Sequence, residues 1–197
     1  LMTLLQRYPD IEFNIEGNPF AGPRDNGYPG FDALIETAQP HQATLVPDGD
    51  DQLTSDHGFD LTGDNSALAE KIARYQAWGA RVSLFMDPTL EQIALAKEVG
   101  ADRIELYTGP FADTVANLGI DHDDSKQSLA TYLDAARFAS QLGLGVNAGH
   151  DLDLENLKLF TQITEVLEVS IGHALISTAL ERGLAETVHA FLQALAR

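Results

Sequence analysis

One pattern repeats along this chain: a short β-rich run, a helical stretch, a glycine, then another β-rich run. Trp78-Gly79-Ala80, Val99-Gly100-Ala101 and Leu142-Gly143-Leu144 each put glycine just before a strand, where a helix favours a left-handed cap. Strand, helix, glycine, strand is the βα unit. Parallel strands need such crossovers, so the repetition predicts an α/β fold with a parallel sheet.

Six strands are predicted, over residues 11–16, 42–47, 81–86, 103–108, 144–148 and 168–172, each of ordinary strand length. Helices are predicted over 31–38, 65–78, 89–99, 125–142, 154–163 and 174–195. Thr89-Leu90-Glu91-Gln92, and Asp124 with Gln127 after it, have the form of capping boxes. The opening Leu1-Met2-Thr3-Leu4-Leu5-Gln6-Arg7 has no basic stretch before its apolar residues, so it does not read as a signal peptide; it reads as the last turns of a helix.

A dinucleotide fold would show Gly-x-Gly-x-x-Gly after an early strand, and none is present. Polar residues stand instead at nearly every strand end: Asn14 and Glu16, Asp87, Glu105 and Thr108, Asn147 and His150, Gly172 and His173. Strand ends converging on one site are the habit of a (β/α)8 barrel. Such a barrel needs eight strands, and six are counted here. The connections 17–30 and 47–63 are long and rich in Gly, Pro, Asp and Asn, which marks them as functional or mobile. A length of 197 residues suits one domain, and no linker suggests a second.

Composition limits the partners. The formal charge is -18 with only 12 Lys plus Arg, so nucleic acid and anionic membrane surfaces are poor partners. No apolar run approaches the roughly 18 residues that cross a bilayer. There is no cysteine, which excludes disulfides, thiolate metal sites and a Cys nucleophile; a cytoplasmic setting is the default. An acidic chain can still hold a phosphorylated metabolite through backbone amides, helix N-termini or a few arginines.

Three segments carry chemistry. In Val146-Asn147-Ala148-Gly149-His150-Asp151-Leu152-Asp153, a strand ends in small residues and presents a histidine ahead of an acid-capped helix. Either His150 is functional or it only hydrogen-bonds nearby backbone. In Ser170-Ile171-Gly172-His173-Ala174, a second strand ends in Gly-His at a helix start. The amides of Gly172 and His173 could hold phosphate without a positive side chain; the alternative is a plain turn. In Phe13-Asn14-Ile15-Glu16-Gly17, Asn14 and Glu16 share a face. If that face is the barrel interior, Glu16 is a buried rim carboxylate suited to proton transfer; otherwise it is solvated. Glu105 carries the same ambiguity, with apolar flanks favouring an inward acid. Asp121-His122-Asp123-Asp124 reads as a solvated cap rather than a metal site, His57 as a candidate lid residue, and His41 and His189 as structural or exposed.

The runs EFNIEGNP, TLVPDGDDQLTSDHGFDL, VSLFMD, RIELYTGPFA, GLGVNAGHDLDLENL and SIGHALI resemble, in order, the strand-end motifs of the pyridoxine 5'-phosphate synthase family. The resemblance spans nearly the whole chain, and VNAGHDLDLENL is its most specific part. It implies a (β/α)8 TIM barrel with strands three to eight represented here, as one domain over 1–197 that is N-terminally incomplete. It implies a cytoplasmic homo-octamer with no metal or organic cofactor. The implied reaction condenses 1-deoxy-D-xylulose 5-phosphate with 3-amino-2-oxopropyl phosphate, giving pyridoxine 5'-phosphate, phosphate and water.

By the same resemblance, Glu16 is a catalytic proton acceptor, His150 the proton donor and Glu105 an acid that stabilises the transition state. Thr54 contacts the deoxyxylulose phosphate. Asp151, Gly172 and His173 bind substrate through the main chain, with Asp151 standing where other members carry Gly. Family members begin with two further βα units bearing arginines and another histidine, so this chain by itself is expected to be inactive. Two other readings stay open. One is a different phosphate-handling barrel enzyme, which would be expected to place a Lys at a strand end; none is seen. The other is a binding remnant without chemistry.

Overall fold

A computed structural model describes residues 7–49 and 51–196. The expectation of a helix end at residues 1–6 lies outside the described residues. The strands are β1 (Asn14–Gly17), β2 (Gln42–Leu45), β3 (Arg81–Met86), β4 (Arg103–Tyr107), β5 (Gly145–Gly149) and β6 (Val166–Ser170). Between and after them come α1 (Phe31–Ala38), α2 (Ser66–Ala77), α3 (Leu90–Glu98), α4 (Gly109–Leu118), α5 (Asp123–Gln141), α6 (Leu157–Phe160), α7 (His173–Arg182) and α8 (Leu184–Leu195). Strand order in the sheet is the chain order, and the registered pairs β1–β2, β2–β3 and β5–β6 are parallel. This is the α/β fold expected of repeated βα units.

The chain divides into two compact units, Leu1–Asp87 with Glu91–Glu105, and Pro88–Leu90 with Leu106–Arg197. In the first unit the register aligns Glu16 with Thr44 and Thr44 with Ser83, one row below Gly17, Leu45 and Leu84. Strand alternation then separates the faces. Asn14, Glu16, Gln42, Thr44, Arg81 and Ser83 share one face; Ile15, Ala43, Leu45, Val82 and Leu84 share the other. Of the second set, Ala43, Leu45, Val82 and Leu84 are completely buried.

Helices α1 and α2 are tied by one carboxylate. Asp32 accepts a hydrogen bond from the Tyr75 hydroxyl at 2.5 Å and from Lys71 at 2.6 Å, with Arg74 at 3.2 Å. The Tyr75 ring meets Phe31 edge-on at 5.8 Å and stacks on Trp78 at 5.9 Å, and both Phe31 and Tyr75 are fully buried. Partial burial, the largest single influence, pushes the Asp32 carboxyl up. The hydrogen bonds from Lys71 and Tyr75 and the charges of Lys71 and Arg74 together outweigh it and leave the group below its ordinary value. In the second unit the core is aromatic: Phe111, Tyr132 and Phe160 lie 5.3–5.8 Å apart, and the Tyr132 hydroxyl donates to the Tyr107 carbonyl at 2.7 Å.

Helix ends follow the glycine pattern: Gly79, Gly100 and Gly143 have φ of 95°, 93° and 74°. Several expectations are corrected. The single helix expected over 174–195 is two, because Gly183 (φ 86°) ends α7 and opens α8. Helix α4 was not expected; Pro110 in its first turn, a position that suits a missing N–H, is its sequence signature. The helix expected over 154–163 shrinks to α6, because Asp153 and Asn156 commit their side chains to a turn. Gln92 closes no capping box: its side chain accepts from Leu61 N and donates to Asp60, anchoring the 47–63 connection. His122, not Asp124, caps α5, its Nδ1 accepting from Asp124 N at 3.2 Å.

Because the folded Asp32 carboxyl sits below the unfolded value of roughly 3.9, its contribution to stability is complete above that value. It is lost as pH falls through the lower folded value. Asp32→Asn is therefore expected to lower the urea midpoint at pH 7 and to flatten the acid limb of a stability-versus-pH curve, as read by urea titrations from pH 7 to 2.5.

Candidate active site

Parallel neighbours end their C-terminal tips on the same side, so within each unit the connections after them leave from that side. In the first unit the connection after β2 is fastened to the tip of β3. Gly58 N donates to Asp87 Oδ2 at 3.2 Å and Phe59 N to Phe85 O at 2.9 Å. A Cβ at Gly58 would lie 2.3 Å from Asp87 N and 2.5 Å from Met86 Cα, so only glycine permits this approach. Ahead of that anchor the connection stands out: Leu53, Thr54, Asp56 and His57 are all exposed. The His57 Nδ1 lies 2.5 Å from Asp56 Oδ1, and the hydrogen bond from His57 is the largest of the influences that hold the Asp56 carboxyl below its ordinary value. Asp48 is bound on one side by Ser55, through Oδ2, while its main-chain carbonyl accepts from Asn18 at 2.8 Å.

The acids of the first unit differ in environment. Glu105, on β4, is 2% exposed, as its apolar flanks predict. Glu16, at the tip of β1, is exposed, so of the two readings open for it the solvated one holds. Strand β1 ends the row of strands and pairs with β2 alone among the described residues. Asn14, on the same face, accepts from the Thr44 hydroxyl at 3.2 Å. Ser83 Oγ and Asp48 Oδ1 are buried with no hydrogen-bond partner among the described residues.

The second unit holds the remaining site residues close together. Gly149 at the tip of β5 registers with Ser170 at the tip of β6. One residue on from Gly149 is His150, and two on from Ser170 is Gly172, so the two turns leave neighbouring strands side by side. His150 and Asp151 both have positive φ, 88° and 56°, a conformation that residues with a side chain rarely adopt. At position 151 that angle is one glycine would adopt without strain. The His150 side chain is 21% exposed, meets the Tyr107 ring edge-on at 5.3 Å, and places Nδ1 3.5 Å from Asp151 Oδ2.

Below the turn, Asn156 is 2% exposed. Its amide donates to the Asp151 carbonyl at 2.9 Å and its oxygen accepts from Asp153 N at 2.9 Å; Asp153 in turn accepts from the amides of Glu155 and Asn156. Leu152 and Leu157 plug the core on either side. The run HDLDLENL is thus a strained turn with its own brace. Asn147 donates to Glu168 at 2.9 Å, a pairing that neither residue's local sequence announced.

Gly172 caps α7, and His173 is its first residue; both are exposed. The first amides of a helix have no partner within it. At Gly172 φ is -105° and an added Cβ would meet nothing within 4 Å, so neither backbone angle nor packing demands glycine. Elsewhere, His41 Nδ1 accepts from Phe13 N at 2.9 Å and His189 pairs with Gln193 at 2.9 Å, both structural uses.

Replacing Asn156 with Ala removes a bond to each end of the 151–153 turn and leaves the Asp151 carbonyl unpaired. A loss of about 1–3 kcal/mol of stability is expected, measurable by chemical denaturation.

The family model described as pyridoxal phosphate biosynthesis protein PdxJ matches residues 2–197. A pyridoxine 5'-phosphate synthase of Xanthomonas campestris pv. campestris (strain B100) is 53% identical over 196 residues, covering 99% of this chain and 74% of the relative. One from Xanthomonas oryzae pv. oryzae (strain MAFF 311018) is 54% identical over 195 residues, 98% of this chain and 74% of the relative. One from Xylella fastidiosa (strain 9a5c) is 51% identical over 195 residues, with 98% and 73% covered. Among solved structures, "Native KDPGal structure" superposes with a TM-score of 0.56 at 14% identity, over 98% of this chain and 75% of that one. A BexX/CysO complex from Amycolatopsis orientalis gives 0.56 at 16% identity, over 99% and 72%; these two likenesses concern the fold alone. The sequence matches go further, and on them the chain belongs to the PdxJ family of pyridoxal phosphate biosynthesis proteins.

Proposed function

We propose that this chain is a pyridoxine 5'-phosphate synthase that condenses 1-deoxy-D-xylulose 5-phosphate with 3-amino-2-oxopropyl phosphate. One observation carries the reading: the strained His150-Asp151 turn and the start of α7 leave adjacent strand tips, in a chain of this family. A proton-transferring imidazole then sits beside amides able to take a phosphate. The glycine at 172, with open space where a Cβ would stand, leaves room for close approach of that phosphate.

In this reading the amides of Gly172 and His173 fix the aminoketone phosphate and the main chain of Asp151 assists. Thr54, on the exposed connection, contacts the deoxyxylulose phosphate, and the same connection, with His57, closes over the bound substrates as a lid. Imine formation, loss of phosphate and aromatisation all move protons. His150 donates them, and Glu16 accepts them at the solvent-facing tip of β1. Glu105 is buried, and burial disfavours the charged form of a carboxyl group; it stabilises the transition state. Neither metal nor organic cofactor takes part. The proposal extends to the whole: a single (β/α)8 barrel domain whose third to eighth strands are β1 to β6, assembled as a homo-octamer in the cytoplasm.

In the enzyme as the cell makes it, Glu105→Gln and His150→Gln are each expected to lower kcat by roughly 10²–10⁴-fold, the usual weight of one acid–base group, with the fold retained by circular dichroism. Formation of pyridoxine 5'-phosphate, followed by its absorbance, is the assay; full activity in either variant would refute the assignment. A Cβ at Gly172 would meet no protein atom, so Gly172→Ala is expected to cost no more than about 1 kcal/mol, the loss of a favourable N-cap residue, while raising KM for 3-amino-2-oxopropyl phosphate about tenfold, with KM for the other substrate little altered.

A further inference from the structure

Thr108 stands at the N-cap of α4, where a threonine hydroxyl ordinarily accepts a bond from its own helix. Here it makes no such cap. The hydroxyl points across to the next strand, shared between the carbonyls of Gly149, at 2.7 Å, and His150. The Thr108 amide donates to the same Gly149 carbonyl at 2.9 Å. Thr108 is fully buried, so no water competes for these bonds. Helix α4 gives up a side-chain cap, and what it holds instead is the carbonyl pair that sets the backbone of His150, at φ 88°.

The neighbouring residue makes the second contact. Tyr107 presents its ring edge-on to the His150 imidazole at 5.3 Å. Gly109, on the other side of Thr108, leaves room for the Tyr107 hydroxyl, which a Cβ there would meet at 2.3 Å. Consecutive residues 107–109 thus shape one histidine: the ring contact sets its side chain and the hydroxyl its main chain. A strained conformation persists only where its surroundings over-determine it.

We infer that Thr108 is a positioning residue for the reaction, holding the His150 turn in its left-handed conformation so that the imidazole meets substrate. The inference rests on the proposed function, and a readout without turnover separates the two. Thr108→Val keeps shape and burial but removes the hydroxyl; Thr108→Ser keeps it. In the enzyme as the cell makes it, Thr108→Val is expected to lower kcat on the order of 10- to 100-fold, the cost of a misplaced group, with KM held within about threefold. Thr108→Ser should stay near wild type.

The imidazole carbon-bound proton signals of His150, assigned by their loss in His150→Gln, should move in Thr108→Val and lose the ring-current displacement from Tyr107. They should stay in place in Thr108→Ser. Signals unmoved in Thr108→Val overturn the inference whatever the rates. Moved signals with an unchanged kcat overturn the link to the reaction. If the wild type shows no turnover at all, the proposed function falls, and the inference, which needs that reaction, falls with it; the His150 signals then decide only whether Thr108 holds the turn. Should Thr108→Val fail to fold, the comparison moves to an Asp151→Gly background, where position 151 carries no strain and the same displacement and kcat loss are expected at His150.

Discussion

Parallel strand pairing is the constraint from which the rest follows. Two parallel neighbours cannot be joined by a tight turn, so every strand must be returned by a covered crossover. Within each unit, the tips of the registered parallel neighbours then lie on the same side. The candidate site residues Thr54, His150, Asp151, Gly172 and His173 lie on or beside the connections that follow strand ends: 47–63 after β2, 150–156 after β5 and 171–173 after β6.

The two units meet this constraint by different means. In the first, the carboxylate of Asp32 and the ring of Tyr75 tie the outer helices to each other. The 47–63 connection is stitched at one end by Gly58, Phe59 and Leu61, while its 53–57 portion stays exposed except for Ser55. In the second, Phe111, Tyr132 and Phe160 form an aromatic trio from α4, α5 and α6, and the Tyr132 hydroxyl donates to the Tyr107 carbonyl. That bond, the Tyr107 edge contact and the Thr108 hydroxyl form a continuous path from the core of the unit to His150. The His150 turn is braced from the core, and the 53–57 stretch is left largely exposed.

Much of this was legible in the residues. Glycines at 79, 100 and 143 marked helix ends because a left-handed cap is a local demand that only one residue type meets cheaply. Val82, Leu84 and Met86 alternate with Ser83 and Phe85 on β3, and the strand has the bounds that its pattern predicts. Glu105 was recognisable as inward by its apolar neighbours. Elsewhere local rules misled. Thr89 with Gln92 looks like a capping box, but Gln92 is drawn away by Leu61 and Asp60, partners some thirty residues distant. Gly183 is a helix breaker of the same kind as the three that were read correctly, but no strand follows it, so a pattern based on strands passed it by.

The sequence by itself determined the βα repeat, the parallel α/β class, the acidic surface and, through its strand-end motifs, the family. These are properties of composition and short-range pattern, where each residue's preference is expressed in its own turn of chain. Only the tertiary structure decided that Glu16 is exposed while Glu105 is buried, that His150 and Asp151 sit at positive φ, and that the Thr108 hydroxyl serves another strand's turn instead of its own helix. Burial, strain and a shared hydrogen bond each depend on which distant segment arrives alongside, and no local preference encodes that arrival.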